Sequence, residues 1–277
     1  MIGKALRWIL RELVPPILLR PFREHGTAPR TTGAQASEHV VRSGPLKGGR
    51  LLVDTTRPAF HDMVEGSYDD YLWNALPERM EGAVVLDIGA HIGYHALALA
   101  NRYPAMQVVA FEPNPANLER FQVNLDLNRI WADRIQVLPY ALGSSSGVTT
   151  FQSSAMVDDQ TSSGGYLGGV EPPLDKAVYD RSGFTTSEVQ MCRLDDLAQG
   201  GGWGRVAFMK IDVEGAEHLV LEGATEVLRR DRPLLCMEIH SVACMARVAA
   251  ILQQLGYSIE LLKEDRPSRA HILARCS

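Results

Sequence analysis

At 277 residues, with 45% hydrophobic and 22% charged side chains, the chain has the composition of a globular protein with one large, fully cored domain. A formal net charge of -5 excludes a nucleic-acid-binding role driven by phosphate neutralisation. The four cysteines, Cys192, Cys236, Cys244 and Cys276, show neither CxxC nor Cys/His metal spacing and fit a reduced, cytoplasmic protein.

Residues 1–24 place Ile2, Leu6, Ile9, Leu10 and Leu13 at helical spacing with arginines between them; Pro15-Pro16 interrupts, and Ile17, Leu18, Leu19 and Phe22 resume. These runs are too short for a bilayer span, which needs about 20 residues, and the arginines break the apolar core of a cleavable signal. Two readings fit: a basic amphipathic segment that touches the inner membrane face or an acidic partner, and a helix packed on the domain or on a second subunit of a homo-oligomer. Residues 25–50, rich in Gly, Ser, Thr and Pro, read as a linker or loosely ordered arm. The chain therefore divides into an extension over 1–50 and a main domain over 51–277.

Within the domain, 51–53 reads as a strand and 68–76 as a helix whose Tyr68 and Tyr71 either cover a cofactor or pack. Residues 84–101, VVLDIGAHIGYHALALAN, then read as a strand, a glycine turn and a helix N-terminus. Apolar runs at 83–89, 107–111 and 135–138 alternate with helical patterns at 93–102 and 115–128, which predicts a mostly parallel sheet with helices on both faces. A strand at 148–152 leads into a long polar stretch, 153–188, read as a flexible loop beside the active site. Strands at 189–194, 206–212, 234–240, 257–262 and 271–275 follow, with helices at 216–230, carrying a Glu226/Arg230 pair, and at 242–255.

Ligands of such a sheet bind at the carboxyl ends of its strands. The residues there are Asp87, Glu112, Tyr140, Asp212 with Glu214, and Glu238 with His240. The pattern D-x-G-x-x-x-G at Asp87, Gly89 and Gly93 is not the G-x-G-x-x-G of a dinucleotide site. An acid at the strand end suits a cofactor that carries a cation, as S-adenosyl-L-methionine does. Glu112 is placed to accept both hydroxyl hydrogens of an unphosphorylated ribose.

The block DVEGAE sets Asp212, Glu214 and Glu217 across a strand end and a first helical turn, where Glu217 favours the helix electrostatically. Glu238 and His240, two apart on a strand, share a face. A histidine with a pKa near 6.5 is suited to take a proton from an alcohol, so His240 is the expected base, with Asp212 and Glu214 orienting the acceptor or an ammonium group. A hydrogen-bonded structural histidine is the competing reading, and His91, His95 and His218 are weaker candidates. An Asp/Glu/His set can also hold a divalent cation, but no metal spacing stands out and none is assigned.

The blocks DIGAHIGY, AFEPNPANLERFQVNL, LPYALGSSSG, RLDDL, MKIDVEGAEHLVLEGA and MEIH resemble those of FkbM-type S-adenosylmethionine-dependent methyltransferases, over residues 44–262. The resemblance implies a class I methyltransferase (Rossmann-like) fold: a seven-stranded, mostly parallel sheet with helices on both faces and its last strand antiparallel. Carried over residue by residue, Asp87, Gly89, Ala90 and Gly93 line the methionine end, with Asp212 beside them; Glu112 and Asn114 serve the ribose, and Tyr140 and Ala141 the adenine. An acid after the third strand is missing.

The resemblance further implies O-methylation of a natural-product or sugar hydroxyl. Asp212-Val213-Glu214 is not the Asn/Asp-Pro-Pro-aromatic turn of amino methylation, which disfavours nucleic-acid substrates. The leader LVPPILLRPF is similar to those of members associated with surface-glycan assembly. The expectation is an O-methyltransferase acting on a carbohydrate or glycan precursor; a polyketide or peptide tailoring enzyme and a non-catalytic cofactor-fold binding protein are the alternatives.

Overall fold

A computed structural model describes residues 36–153, 164–170, 184–266 and 269–276. The basic segment 1–24 lies outside the described residues. Of the arm expected over 25–50, residues 25–35 also lie outside the described residues, and beyond them β1 (Ser37–Val40) and β2 (Arg50–Val53) pair antiparallel. Leu46, Leu51 and Val53 are fully buried. The free backbone edge of β2 is satisfied by asparagines: Leu52 N donates to Asn124 Oδ1 at 2.8 Å and Arg50 N to Asn128 Oδ1 at 2.9 Å. Partners that lie so far along the chain are invisible to local composition.

Helices α1 (Pro58–Glu65) and α2 (Asp70–Ala75) precede the alternating core of β3 (Val84–Ile88), α3 (Tyr94–Arg102), β4 (Gln107–Phe111), α4 (Pro115–Leu127), α5 (Arg129–Ala132) and β5 (Ile135–Leu138). Four strands then build a second sheet: β6 (Ala141–Leu142), β7 (Gly147–Ser153), β8 (Tyr166–Leu167) and β9 (Thr185–Cys192), in the order β6-β9-β7-β8. The chain returns to the main sheet through α6 (Leu194–Gly200), β10 (Val206–Ile211), α7 (Glu217–Glu222), α8 (Thr225–Asp231), β11 (Leu234–Ile239), α9 (Val242–Gln254), β12 (Tyr257–Arg266) and β13 (Arg269–Cys276).

The seven-stranded sheet runs β12-β13-β11-β10-β3-β4-β5. All its described pairings are parallel except those of β13, which is antiparallel to both β11 and β12. This is the class I methyltransferase arrangement with its last strand reversed. Every residue of β3 and β10 is buried, as expected of central parallel strands covered on both faces. Side chains alternate between two cores: Val85, Val108 and Phe208 pack with Leu97 and Phe121, whereas Leu86, Val109 and Met209 pack with Val220, Leu228 and Val248.

Two expectations change. The helix predicted over 216–230 is broken into α7 and α8, because Gly223 lies against the backbone of Gly143: a Cβ there would sit 2.0 Å from the Gly143 carbonyl oxygen. Within α8 itself, Arg230 pairs with Asp231 at 2.7 Å, and Glu226 accepts from Gln199 at 2.9 Å, in place of the expected Glu226/Arg230 pair. The stretch expected as one loop over 153–188 contains strand at its described positions. Tyr166 and Leu167 pair with β7, as do residues Thr185 to Ser187 of β9. The polar sequence hides these strands because they bury only a few side chains, among them Phe151, Leu167 and Val189. Residues 154–163 and 171–183 of that stretch lie outside the described residues.

Candidate active site

A cleft opens at the carboxyl ends of β3, β4 and β10, where an open parallel sheet binds its ligands. Its wall includes the turn from Gly89 to Ile92, Glu112, Asn117, Tyr140, Ala141, Asp212 and Glu214. Gly89 has φ +79°, and a Cβ on it would lie 1.8 Å from the Asp212 carbonyl oxygen, so the turn after β3 touches the end of β10 backbone to backbone. Asp212 N closes that contact by donating to Ile88 O at 3.0 Å. Gly93 stands behind the wall, where a Cβ would strike the Phe121 ring at 2.1 Å. It brings α3 against α4 and does not line the cleft.

At the far end, Glu112 is held by three donors: His91 N to Oε2 at 2.8 Å, Asn114 N to Oε1 at 2.8 Å and Asn117 Nδ2 to Oε1 at 3.2 Å. A carboxylate offers about four lone-pair sites, so one remains for a ligand hydroxyl where the sequence predicts capacity for two. Burial pushes Glu112 up to about 7, against the pull of its hydrogen bonds. Asn114 is a helix cap and not a wall residue: its side chain accepts from Ala116 N at 3.0 Å at the start of α4. Asn117, beside Glu112 on the wall, escapes sequence analysis because helical spacing alone does not show which asparagine reaches a strand end.

Asp87 is fully buried beneath the turn and neither carboxylate oxygen accepts a hydrogen bond. Its counter-charge is Lys210 on β10, whose Nζ lies 3.5 Å from Asp87 Oδ1, 3.4 Å from Asp212 Oδ2 and 3.0 Å from the Gly89 carbonyl oxygen. Burial works against the Lys210 charge, but Asp212 and Asp87 outweigh it and hold its pKa above the ordinary value. Lys210 also lines the cleft. Sequence analysis misses it, although a lysine inside the apolar run VAFMKI is the signal that marks it.

The Asp212 edge gathers the acids around His240. His240 Nδ1 lies 2.8 Å from Glu217 Oε1, and Nε2 lies 3.3 Å from Glu214 Oε2, 3.3 Å from Glu238 Oε1 and 3.8 Å from Asp212 Oδ1. The imidazole is only 1% exposed and is not part of the cleft wall. Burial disfavours its charge, yet Glu214 and Glu217 raise its pKa well above the usual histidine range, so the expectation of a base near 6.5 is not met. Burial pushes Glu214 up to about 7. Glu238 sits near 2, because His240, with His271 and Arg269, overcomes the cost of its burial. Glu217, expected only to favour a helix start, is fully buried and also accepts from Gly215 N and Cys244 Sγ, each at 2.9 Å.

A smaller space opens on the other side of Asp212, lined by Asp69, Tyr71, Lys210, Glu238 and His271 among others. Tyr71 OH lies 2.8 Å from His271 Nδ1, and His95 Nε2 lies 3.0 Å from Asp69 Oδ2. Tyr68 lines the main cleft, whereas Tyr71 belongs to this smaller space. Among the described residues four non-glycines have positive φ, and Asp69, His91 and Glu214 of these stand at the two spaces. Left-handed backbone costs on the order of 1–3 kcal/mol at such residues and concentrates at functional sites.

The family model for the methyltransferase FkbM domain matches residues 87–259. Hexuronic acid methyltransferase AglP of Haloferax volcanii is 29% identical over 245 residues, covering 87% of this chain and 82% of that protein. The 31-O-demethyl-FK506 methyltransferase FkbM of Streptomyces tacrolimicus is 26% identical over 201 residues, 66% of this chain and 75% of that protein. The 2-O-methyltransferase NoeI of Sinorhizobium fredii is 28% identical over 152 residues, 54% of this chain and 60% of that protein. Among solved structures, a methyltransferase FkbM from Methylobacillus flagellatus KT is 18% identical with a TM-score of 0.50, a likeness of fold. It covers 73% of this chain, which spans 45% of that one.

Proposed function

The chain belongs to the FkbM methyltransferase family, and from that we propose that it transfers a methyl group from S-adenosyl-L-methionine to a hydroxyl oxygen of a carbohydrate or glycan precursor. The observation that carries the acceptor class is the alignment with a hexuronic acid methyltransferase across 87% of this chain and 82% of that protein. A 2-O-methyltransferase among the relatives supports oxygen as the receiving atom.

The residues present fit the donor. The cleft lies at the strand ends where such a sheet binds small molecules, Glu112 keeps a lone-pair site for a hydroxyl, and the buried Asp87 carboxylate, ion-paired with Lys210 but accepting no hydrogen bond, lies beneath the turn at the methionine end. Glu112 and Asn117 would hold the ribose, Tyr140 and Ala141 the adenine, and Gly89, Ala90 and Asp212 the methionine end. When bound, this donor supplies a methyl group on a positively charged sulfur with a neutral thioether as leaving group.

The protein's own task is alignment and removal of one proton. Glu214 stands on the cleft wall and is the carboxylate placed to take the acceptor hydroxyl proton, while Asp212 orients that hydroxyl. His240, sealed from the cleft, is a positioning residue that gathers Asp212, Glu214 and Glu238. Phe151 and Leu167 of the second sheet also line the cleft and give it an apolar side. A natural-product acceptor is the second reading, favoured by the relative that acts on 31-O-demethyl-FK506.

No helix among the described residues is long and apolar enough to cross a membrane. A peripheral membrane or subunit contact through residues 1–24 stays a proposal. The deciding assay incubates the protein with methyl-labelled S-adenosylmethionine and a panel of hexuronic acids, hexosides and macrolides, with the methylated position read by NMR. Labelled methyl ether on a uronic acid or hexoside is the expected result. Absence of S-adenosylmethionine binding by calorimetry would overturn the proposal.

A further inference from the structure

We propose that Asp212, Glu238 and His240 form a divalent-cation site on the acceptor side of the cleft. One ligand atom from each, a carboxylate oxygen from either acid and a ring nitrogen from His240, falls within 4.8 Å of the others. Neighbouring ligand atoms in a shell built at 2.1–2.4 Å stand about 3.0–3.4 Å apart. The observed separations from His240 Nε2, 3.3 Å to Glu238 Oε1 and 3.8 Å to Asp212 Oδ1, need little contraction to reach that shell.

An acidic cluster alone would carry little, but His240 adds an independent observation. Its Nε2 is buried, makes no hydrogen bond, and points among Asp212, Glu214 and Glu238. The other ring nitrogen, Nδ1, is spoken for by Glu217 at 2.8 Å. A carboxylate that receives the Nδ1 hydrogen fixes the ring with Nε2 turned toward the acids, the orientation of metal-ligating histidines, and a cation bound there would displace the Nε2 proton. Cys244 Sγ and Gly215 N hold Glu217 in turn.

Charge points the same way. Among the described residues, Lys210 stands within 4.0 Å of Asp87 and Asp212, and Arg269 within 4.0 Å of Glu214 and Glu238. Lys210 approaches Asp212 through Oδ2, leaving Oδ1 as the oxygen turned toward His240. Two carboxylates with one imidazole suit the Mg²⁺/Mn²⁺ class, which keeps several water positions open. Asp212 and Glu238 both line the smaller space beside the cleft, so those positions would face it, and an acceptor hydroxyl would take one of them. That role, an ion that holds the acceptor's hydroxyls, rests on the methyl-transfer reading; the ion site itself does not.

Direct binding of Mn²⁺ to the chelator-treated full chain, without donor or acceptor, tests the site by electron paramagnetic resonance. The expected result is one bound Mn²⁺ whose affinity falls at least about tenfold in Glu238→Gln and His240→Ala, and by a similar factor in Glu217→Gln, which alters only the orienting carboxylate. Circular dichroism confirms that each variant is folded, and the isosteric Glu238→Gln serves if His240→Ala is not. No bound Mn²⁺ at up to about 1 mM, or affinity unchanged in folded Glu238→Gln, overturns the proposal. S-adenosylmethionine binding, titrated separately, distinguishes failure of the donor reading: Mn²⁺ bound without donor affinity supports the ion site, and donor affinity without Mn²⁺ binding overturns it.

Discussion

Glu217 and His240 meet at 2.8 Å with neither side chain more than 1% exposed, and the contact ties the first turn of α7 to the residue that follows β11. Glu217 spends its other lone pairs on Gly215 N and Cys244 Sγ, so it fixes both the imidazole and the turn that carries Glu214. Replacing Glu217 by Gln leaves a buried group imperfectly paired, at a cost of about 1–3 kcal/mol. Turnover should fall about 10–100-fold through the misplaced imidazole. Affinity for S-adenosylmethionine should hold, since Glu217 touches no wall residue of the donor end. Urea denaturation, steady-state assay and calorimetry on one preparation separate these three outcomes.

Lys210 makes a second prediction. It is buried between Asp87 and Asp212 at 3.5 and 3.4 Å, and without it Asp87 retains neither an ion pair within 4.0 Å nor a hydrogen bond. Truncating one member of a buried pair costs about 3–5 kcal/mol because the other charge stays behind. Lys210→Met should therefore lower the urea midpoint strongly. The double variant Lys210→Met/Asp87→Asn should recover part of the loss. No recovery would assign the role of Lys210 to its bond with Gly89 O instead.

How much of this was legible in the chain depends on whether the cause was local. The strands that carry Asp87, Glu112 and Asp212 show as short apolar runs, since central parallel strands bury both faces and leave little room for polar residues. The exception inside such a run, Lys210, is informative for the same reason. Glu238 and His240 could be placed on one face by alternation, but not at a depth: nothing in the spacing shows that His240 is sealed from the cleft or that Glu217 reaches it. The β1–β2 hairpin depends on Asn124 and Asn128, and the break in the helix at Gly223 on the backbone of Gly143. Contacts of that span leave no periodic trace.

Glu112 predicts a dependence on pH. Its carboxyl sits at about 7 against an ordinary 4.5, so between those values the folded protein keeps a proton that the unfolded chain has lost. Stability should accordingly decline as pH rises through this window, by about 3 kcal/mol in total, and Glu112→Gln should remove that slope. Donor binding should run the other way, because only the ionised carboxylate is free to accept a ribose hydroxyl. Affinity for S-adenosylmethionine should strengthen by about tenfold from pH 6 to pH 8. In Glu112→Gln it should be weak and flat. Calorimetric titrations at several pH values check both signs.

The contact of Gly89 with Asp212 can be tested against a glycine of the same conformation elsewhere. Gly48 has φ +83° with nothing within 4 Å of a built Cβ, whereas Gly89 has φ +79° and would place its Cβ 1.8 Å from the Asp212 carbonyl oxygen. Gly48→Ala therefore pays only the left-handed penalty, about 1–2 kcal/mol. Gly89→Ala adds an overlap with backbone that cannot yield without moving Asp212, for a total of about 2–5 kcal/mol. Because Asp212 stands on the cleft wall beside Glu214, that movement should also disturb acceptor alignment, lowering turnover in Gly89→Ala and leaving it intact in Gly48→Ala. Equal activity in the two variants would show that the β3 turn does not set the position of the acid edge.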